Sequence, residues 1–100
     1  DLISLEKIVE KMCHNPAILY RMTKRGFIRE GYYADLTLVD LNSKWTVTKD
    51  NLLYKCGWSP LEGATFQTEI KQTFVNGNLV YDSGTWNEKT KGMQIEFNKD

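Results

Sequence analysis

The sequence predicts an α+β chain, helices first and antiparallel or mixed strands after. Three observations predict it: an apolar stripe at helical spacing near the start, a change of hydrophobic period after Gly26, and an Asn76-Gly77 pair between two β-rich runs. Leu5, Ile8, Val9, Met12 and Cys13 recur at i, i+3, i+4, i+7 and i+8, so they share one helical face, with Glu6, Lys7, Glu10 and Lys11 opposite. Ser4 stands where an N-cap is needed, which predicts a helix over residues 5–13. Asn15 can cap a second helix that starts at Pro16, where a missing N–H costs nothing, and Gly26 can end it in the left-handed conformation.

From Phe27 the pattern is extended. Leu36, Leu38, Val39 and Leu41 form an apolar run of the kind found in a strand covered on both faces, and Lys44 to Thr48 alternates polar with apolar. A turn near Asn42-Ser43 is expected between these two strands. Residues 49–66, with Gly57, Pro60 and Gly63, read as an irregular loop with a helical turn at Asp50 to Leu53. Ile70 to Val75 and Leu79 to Tyr81 flank Asn76-Gly77, the pair favoured in two-residue hairpins because both positions need positive φ. Asp82-Ser83-Gly84 is expected to end the hairpin, and Met93 to Phe97 to form a last short strand.

Thirteen Lys+Arg balance thirteen Asp+Glu, so no global positive field exists to gather a phosphate backbone, and nucleic acid is not an expected partner. Forty-one per cent apolar residues with twelve per cent aromatic is ordinary globular composition. No apolar run approaches the roughly 20 residues that span a bilayer, and a membrane is not an expected partner either. Two cysteines in unlike contexts imply no disulfide framework, which makes the cytoplasm the expected compartment. The first residue is not Met, which fits either processing or a fragment of a longer chain.

Asn15-Pro16-Ala17, Arg25-Gly26-Phe27-Ile28, Gly31-Tyr32-Tyr33-Ala34-Asp35-Leu36 and Thr37-Leu38-Val39-Asp40 follow one another in an order that resembles the C-terminal junction of the amidohydrolase superfamily. Lys55-Cys56-Gly57-Trp58-Ser59-Pro60-Leu61-Glu62-Gly63, followed by Thr73-Phe74-Val75-Asn76-Gly77-Asn78-Leu79-Val80-Tyr81, is similar to the tail of dihydroorotases. Allantoinases and dihydropyrimidinases share the junction, whereas the Ser59 to Gly63 loop favours dihydroorotase. The resemblance covers most of residues 4–83. It implies that residues 1–26 are terminal helices of a TIM-like barrel and residues 27–100 the C-terminal part of a small composite β-domain. A whole barrel needs roughly 250 residues, more than this chain holds.

The resemblance also implies a zinc-dependent cyclic amidohydrolase that interconverts carbamoyl-aspartate and dihydroorotate in pyrimidine synthesis, with a His-x-His pair, further histidines and a proton-shuttling Asp. One histidine cannot supply that ligand set. In the resemblance the catalytic Asp precedes the helix that leads to Asn15-Pro16-Ala17, so it is expected before Asp1, with no catalytic, cofactor or metal residue in this segment. Expected partners are the remainder of the same polypeptide and a second copy in a homo-oligomer. A chain of this family that has lost its ligands would instead be a structural partner of aspartate carbamoyltransferase. A stand-alone β-module that binds another protein is a third reading.

Several residues invite a chemical role. His14, Cys13 and Cys56 are natural zinc ligands, but they lack C-x-x-C or H-x₃-H spacing and read instead as a packed or capping His14 and buried thiols. Asp35 reads as an organiser of the turn into the following strand, by bonds to local backbone N–H groups, in preference to a catalytic carboxylate. Ser59 and Glu62 sit on a loop from which they could touch substrate. Trp45, Trp58 and Trp86 read as packing between sheets or against the barrel, in preference to a binding face.

Overall fold

The computed structural model describes residues 2–99. The fold is α+β, and every strand pairing among the described residues is antiparallel. The chain opens with α1 (Leu5–Val9), a π-helical turn (Glu10–His14) and α2 (Asn15–Leu19). Ser4 caps α1 as expected, its Oγ accepting the Lys7 N–H at 3.2 Å.

The expected break at Asn15 is absent. Asn15 keeps helical angles, φ −62° and ψ −44°, and its N–H donates to the Glu10 carbonyl five residues back. Pro16 supplies the physical reason. In a straight α-helix its ring would press on the Met12 carbonyl and leave that carbonyl without a donor. The wider π turn just before Pro16 relieves that crowding and lets the helix run on.

Gly26 does not end the helix either. Arg21 does, entering the left-handed region at φ 56° while its N–H bonds the Ile18 carbonyl at 3.2 Å and the Met22 N–H bonds the Ala17 carbonyl at 2.9 Å. That pair of bonds is a Schellman cap built without glycine. Gly26, φ 84°, serves a close approach: a Cβ there would sit 2.3 Å from Ala17 Cβ and 2.8 Å from the Cys13 carbonyl oxygen. The loop after the helix therefore folds back onto it.

Six strands follow: β1 (Leu36–Asp40), β2 (Trp45–Thr46), β3 (Thr65–Phe66), β4 (Glu69–Val75), β5 (Asn78–Asp82) and β6 (Thr85–Trp86). One sheet has the order β1-β4-β5-β6, and β2 pairs with β3 in a second. The two strands expected around Asn42-Ser43 thus form but do not pair with each other. The Asn76-Gly77 hairpin forms as expected, with φ 51° and 81° at its two central residues. The hairpin ends at Asp82 as expected, and Ser83-Gly84 then turns the chain into β6, which pairs Trp86 with Tyr81.

The helical turn expected at Asp50 to Leu53 is a 3₁₀ turn over Lys49–Asn51, fixed by a Thr48–Asn51 capping box. The expected strand at Met93 to Phe97 reduces to one bridge, Phe97 to Met22, flanked by Thr23 N–H to the Glu96 carbonyl and Asn98 N–H to the Arg21 carbonyl, both at 2.8 Å.

Little apolar surface is enclosed. Ala17 and Val47 are the buried hydrophobic residues of the described chain. Val47 is shut in by the Ser59 to Ala64 loop, whose Gly63 N–H donates to its carbonyl at 2.8 Å and whose Ala64 carbonyl accepts its N–H at 2.9 Å. Leu38 and Val39 of the edge strand β1 each remain 47 % exposed, although their sequence pattern is that of a covered strand.

Gly26→Ala tests the folded-back loop. Its new methyl overlaps Ala17 and the Cys13 carbonyl in a backbone conformation that L-residues disfavour, so the protein should lose about 1–3 kcal/mol of stability in chemical denaturation.

Candidate functional site

Arg25 follows the left-handed turn at Lys24 and is carried inward by the loop that lies on the helix. Its side chain is 9 % exposed, and its Nη1 forms an ion pair with Asp35 Oδ2. The same Nη1 donates to Asn76 Oδ1 at 3.2 Å. Asp35 Oδ1 accepts the Asn76 N–H at 2.8 Å, and the Gly77 N–H reaches the Ala34 carbonyl at 3.0 Å. Five residues from three parts of the chain thus close on one point: the loop after the helix, the entry to β1 and the tip of the β4–β5 hairpin.

Asp35 was expected to bond backbone close in sequence. It instead bonds an amide 41 residues away. Its other partner, Arg25, lies ten residues before it. A carboxylate needs donors, but composition cannot say which donors the fold will bring. Arg25 also lies over the Tyr33 ring, Cζ to centroid 4.3 Å, while its Nε and Nη2 are buried without a hydrogen-bond acceptor among the described residues. The aromatic face beneath them offers partial electrostatic compensation.

An open cleft of about 430 Å³ lies beside this cluster, bordered by Ile18, Arg21, Arg25, Phe27, Arg29 and Tyr32. Arg29 is stacked across its rim, 4.0 Å from the Phe27 centroid and 5.6 Å from that of Tyr32. His14 stacks on the other part of this aromatic row, 4.2 Å from Phe27 with the rings 9° apart. Packing thus occupies the imidazole. Cys13 and Cys56 were expected to be buried; both thiols are exposed, because the helix face carrying Cys13 is uncovered and Cys56 lies on the Lys55 to Trp58 loop.

Ser59 is buried and shapes its own loop, its Oγ accepting the Leu61 N–H at 3.1 Å, while Glu62 is exposed. Trp45 stacks at 5.5 Å with Phe66 and donates Nε1–H to the Thr68 carbonyl at 2.8 Å; Trp86 meets Tyr81 at 4.6 Å; Trp58 is 60 % exposed. A metal needs three or four converging ligands, and among the described residues no three His, Cys, Asp or Glu side chains converge. The described residues alone therefore do not make up the ligand set of a zinc site.

At the far end of β4, Glu69 Oε2 accepts from Lys71 Nζ at 2.7 Å and from Ser43 Oγ at 2.5 Å. The Lys71 bond first, then the Ser43 bond, holds the Glu69 carboxyl below its ordinary pKa, and the same contact raises that of Lys71. These side chains tie the β1–β2 turn to β4.

Residues 1–80 match the model of the amidohydrolase family. A dihydroorotase of Pyrococcus furiosus is 37 % identical over 94 residues, 94 % of this chain and 22 % of the relative. A dihydroorotase of Endomicrobium trichonymphae is 35 % identical over 80 residues, 80 % of this chain and 19 % of the relative. Among solved structures, the L-hydantoinase (dihydropyrimidinase) from Arthrobacter aurescens superposes with a TM-score of 0.75 at 32 % identity, covering 85 % of this chain and 19 % of that one. The chain spans about a fifth of the length of the relatives it matches.

Two measurements test the contacts above. Asp35→Asn leaves the buried Arg25 guanidinium without its counter-charge and should lower unfolding free energy by on the order of 3 kcal/mol, whereas Glu62→Gln should leave it unchanged. Because the folded-state pKa of Glu69 is depressed, its contribution is present above the unfolded pKa and disappears as pH falls through the folded value. In Lys71→Met the Glu69 carboxyl should titrate closer to its ordinary value, as read by NMR.

Proposed function

The chain belongs to the amidohydrolase family, and on that premise we propose that it is the C-terminal portion of a zinc-dependent dihydroorotase acting in pyrimidine biosynthesis. The observation that carries this reading is the agreement of dihydroorotases at 35–37 % identity across 80–94 % of the chain. In this reading the chemical step, closure or opening of a cyclic amide, belongs to residues outside this segment, and zinc would supply an activated water there. Residues 1–26 would be the last helices of a barrel and residues 27–100 its share of a composite β-domain.

The exposed apolar residues support a covering partner within the same polypeptide. Leu5, Met12, Ile18 and Leu19 on the helix and Leu38, Val39 and Ile70 on the sheet are 47–73 % exposed, and large exposed apolar side chains on both elements are what a covering partner would bury. A homo-oligomer in the cytoplasm fits the same reading. The structural likeness to a hydantoinase favours one alternative, a cyclic amidohydrolase acting on a hydantoin or dihydropyrimidine ring. A chain of the same family that serves aspartate carbamoyltransferase without catalysing is the other.

The test is turnover by the full-length protein, with carbamoyl-aspartate and dihydroorotate compared against allantoin, hydantoin and dihydrouracil. Dihydroorotate and carbamoyl-aspartate should interconvert, chelation should abolish the activity, and zinc should restore it. Turnover of allantoin or hydantoin alone would remove the dihydroorotase assignment, and absence of any turnover with aspartate carbamoyltransferase bound would favour the structural partner.

A further inference from the structure

Asn76 and Gly77 form the one Asn-Gly pair in the chain. In a flexible backbone this pair is chemically labile, because no Cβ on the second residue hinders attack of its backbone nitrogen on the asparagine side-chain carbonyl carbon. An N–Cγ bond forms and the Cγ–Nδ2 bond breaks. The attacking nitrogen gives up its proton, the departing nitrogen takes one up, and ammonia leaves. Water then opens the five-membered imide at either carbonyl to give aspartate or isoaspartate. One water is consumed and one ammonia released, with no change of oxidation state.

In the fold both reacting groups are engaged. The Gly77 N–H, whose nitrogen is the nucleophile, donates to the Ala34 carbonyl at 3.0 Å. The Asn76 side chain, which carries the electrophilic carbon, is held by Arg25 Nη1 through Oδ1 at 3.2 Å. Asp35 fixes the Asn76 backbone N–H at 2.8 Å, with Asn76 at φ 51°. An amide proton already bonded to a carbonyl is harder to remove, and the Arg25 bond restrains the side chain that carries Cγ.

We infer that Asn76 is a deamidation site latched by the Arg25–Asp35 junction, modified only when the hairpin tip lifts from Ala34 and Arg25. The modification then holds the latch open. Aspartate places a second carboxylate beside Asp35 against a single guanidinium, and isoaspartate lengthens the backbone of a two-residue turn by one carbon. A transient opening of the junction is thereby converted into a permanent one.

The experiment follows Asn76 in the full-length protein at mildly alkaline pH by peptide mass mapping with isoaspartate detection. Asn42, exposed in the β1–β2 turn before Ser43, serves as an internal clock. Conversion at Asn76 should be at least about tenfold slower in the native protein than in denaturant, as for any group reached only by local opening, while Asn42 changes far less. Asp35→Asn should place the native rate between these limits. Should that variant fail to fold, the unaltered protein in urea below its unfolding midpoint should show the Asn76 rate rising while Asn42 stays level. Equal Asn76 rates in native and denatured protein, a rate indifferent to sub-denaturing urea, or an Asn76 that stays intact in denaturant while Asn42 converts would each overturn the inference.

Discussion

A guanidinium taken out of water must be given a counter-charge, and the cost of leaving it without one is several kcal/mol. Arg25 imposes that requirement on this chain, because its loop is pulled onto the helix by the Gly26 close approach and its side chain is 9 % exposed. Asp35 meets the requirement with one oxygen and uses the other to hold the hairpin tip at the Asn76 amide. The loop after the helix, the entry to β1 and the β4–β5 turn are therefore tied together by a single pair of charges. The sheet can take its register from there, with Leu36 opposite Phe74 and Val75 opposite Asn78.

What could be read from the sequence was what depends on neighbours. The Ser4 cap and the Asn76-Gly77 turn are decided within a few residues, and both appear where the residue types require them. Asn15-Pro16 misled because the same dipeptide suits a helix start and a proline tolerated inside a helix behind a π turn. The strands β3 and β6, two residues each, carry no period to detect. Asp35 was recognisable as an organiser, but its partner at Asn76 is set by the tertiary fold.

The exposed faces explain the remaining disagreement between pattern and burial. Leu38 and Val39 have the composition of a strand covered on both sides and yet lie open, and the apolar stripe of the helix is uncovered along Leu5 and Met12. In the proposed reading such surfaces meet the remainder of a longer polypeptide, in keeping with a chain that matches about a fifth of its relatives' length. The junction ties the loop after the helix to the entry of β1 and the hairpin tip. In the functional reading its contribution is to hold that geometry, with the reacting groups elsewhere.

Hydrogen exchange of the Gly77 and Asn76 amides in the full-length protein tests the junction most directly, since both protons are bonded only if the Arg25–Asp35 pair holds the hairpin tip. The account predicts protection of these two amides comparable with that of the central β4 amides, lost together in Arg25→Met while the far end of β4 keeps its protection. Exchange of the Gly77 amide as fast as that of the exposed Lys55 to Gly57 loop in the unaltered protein would contradict it.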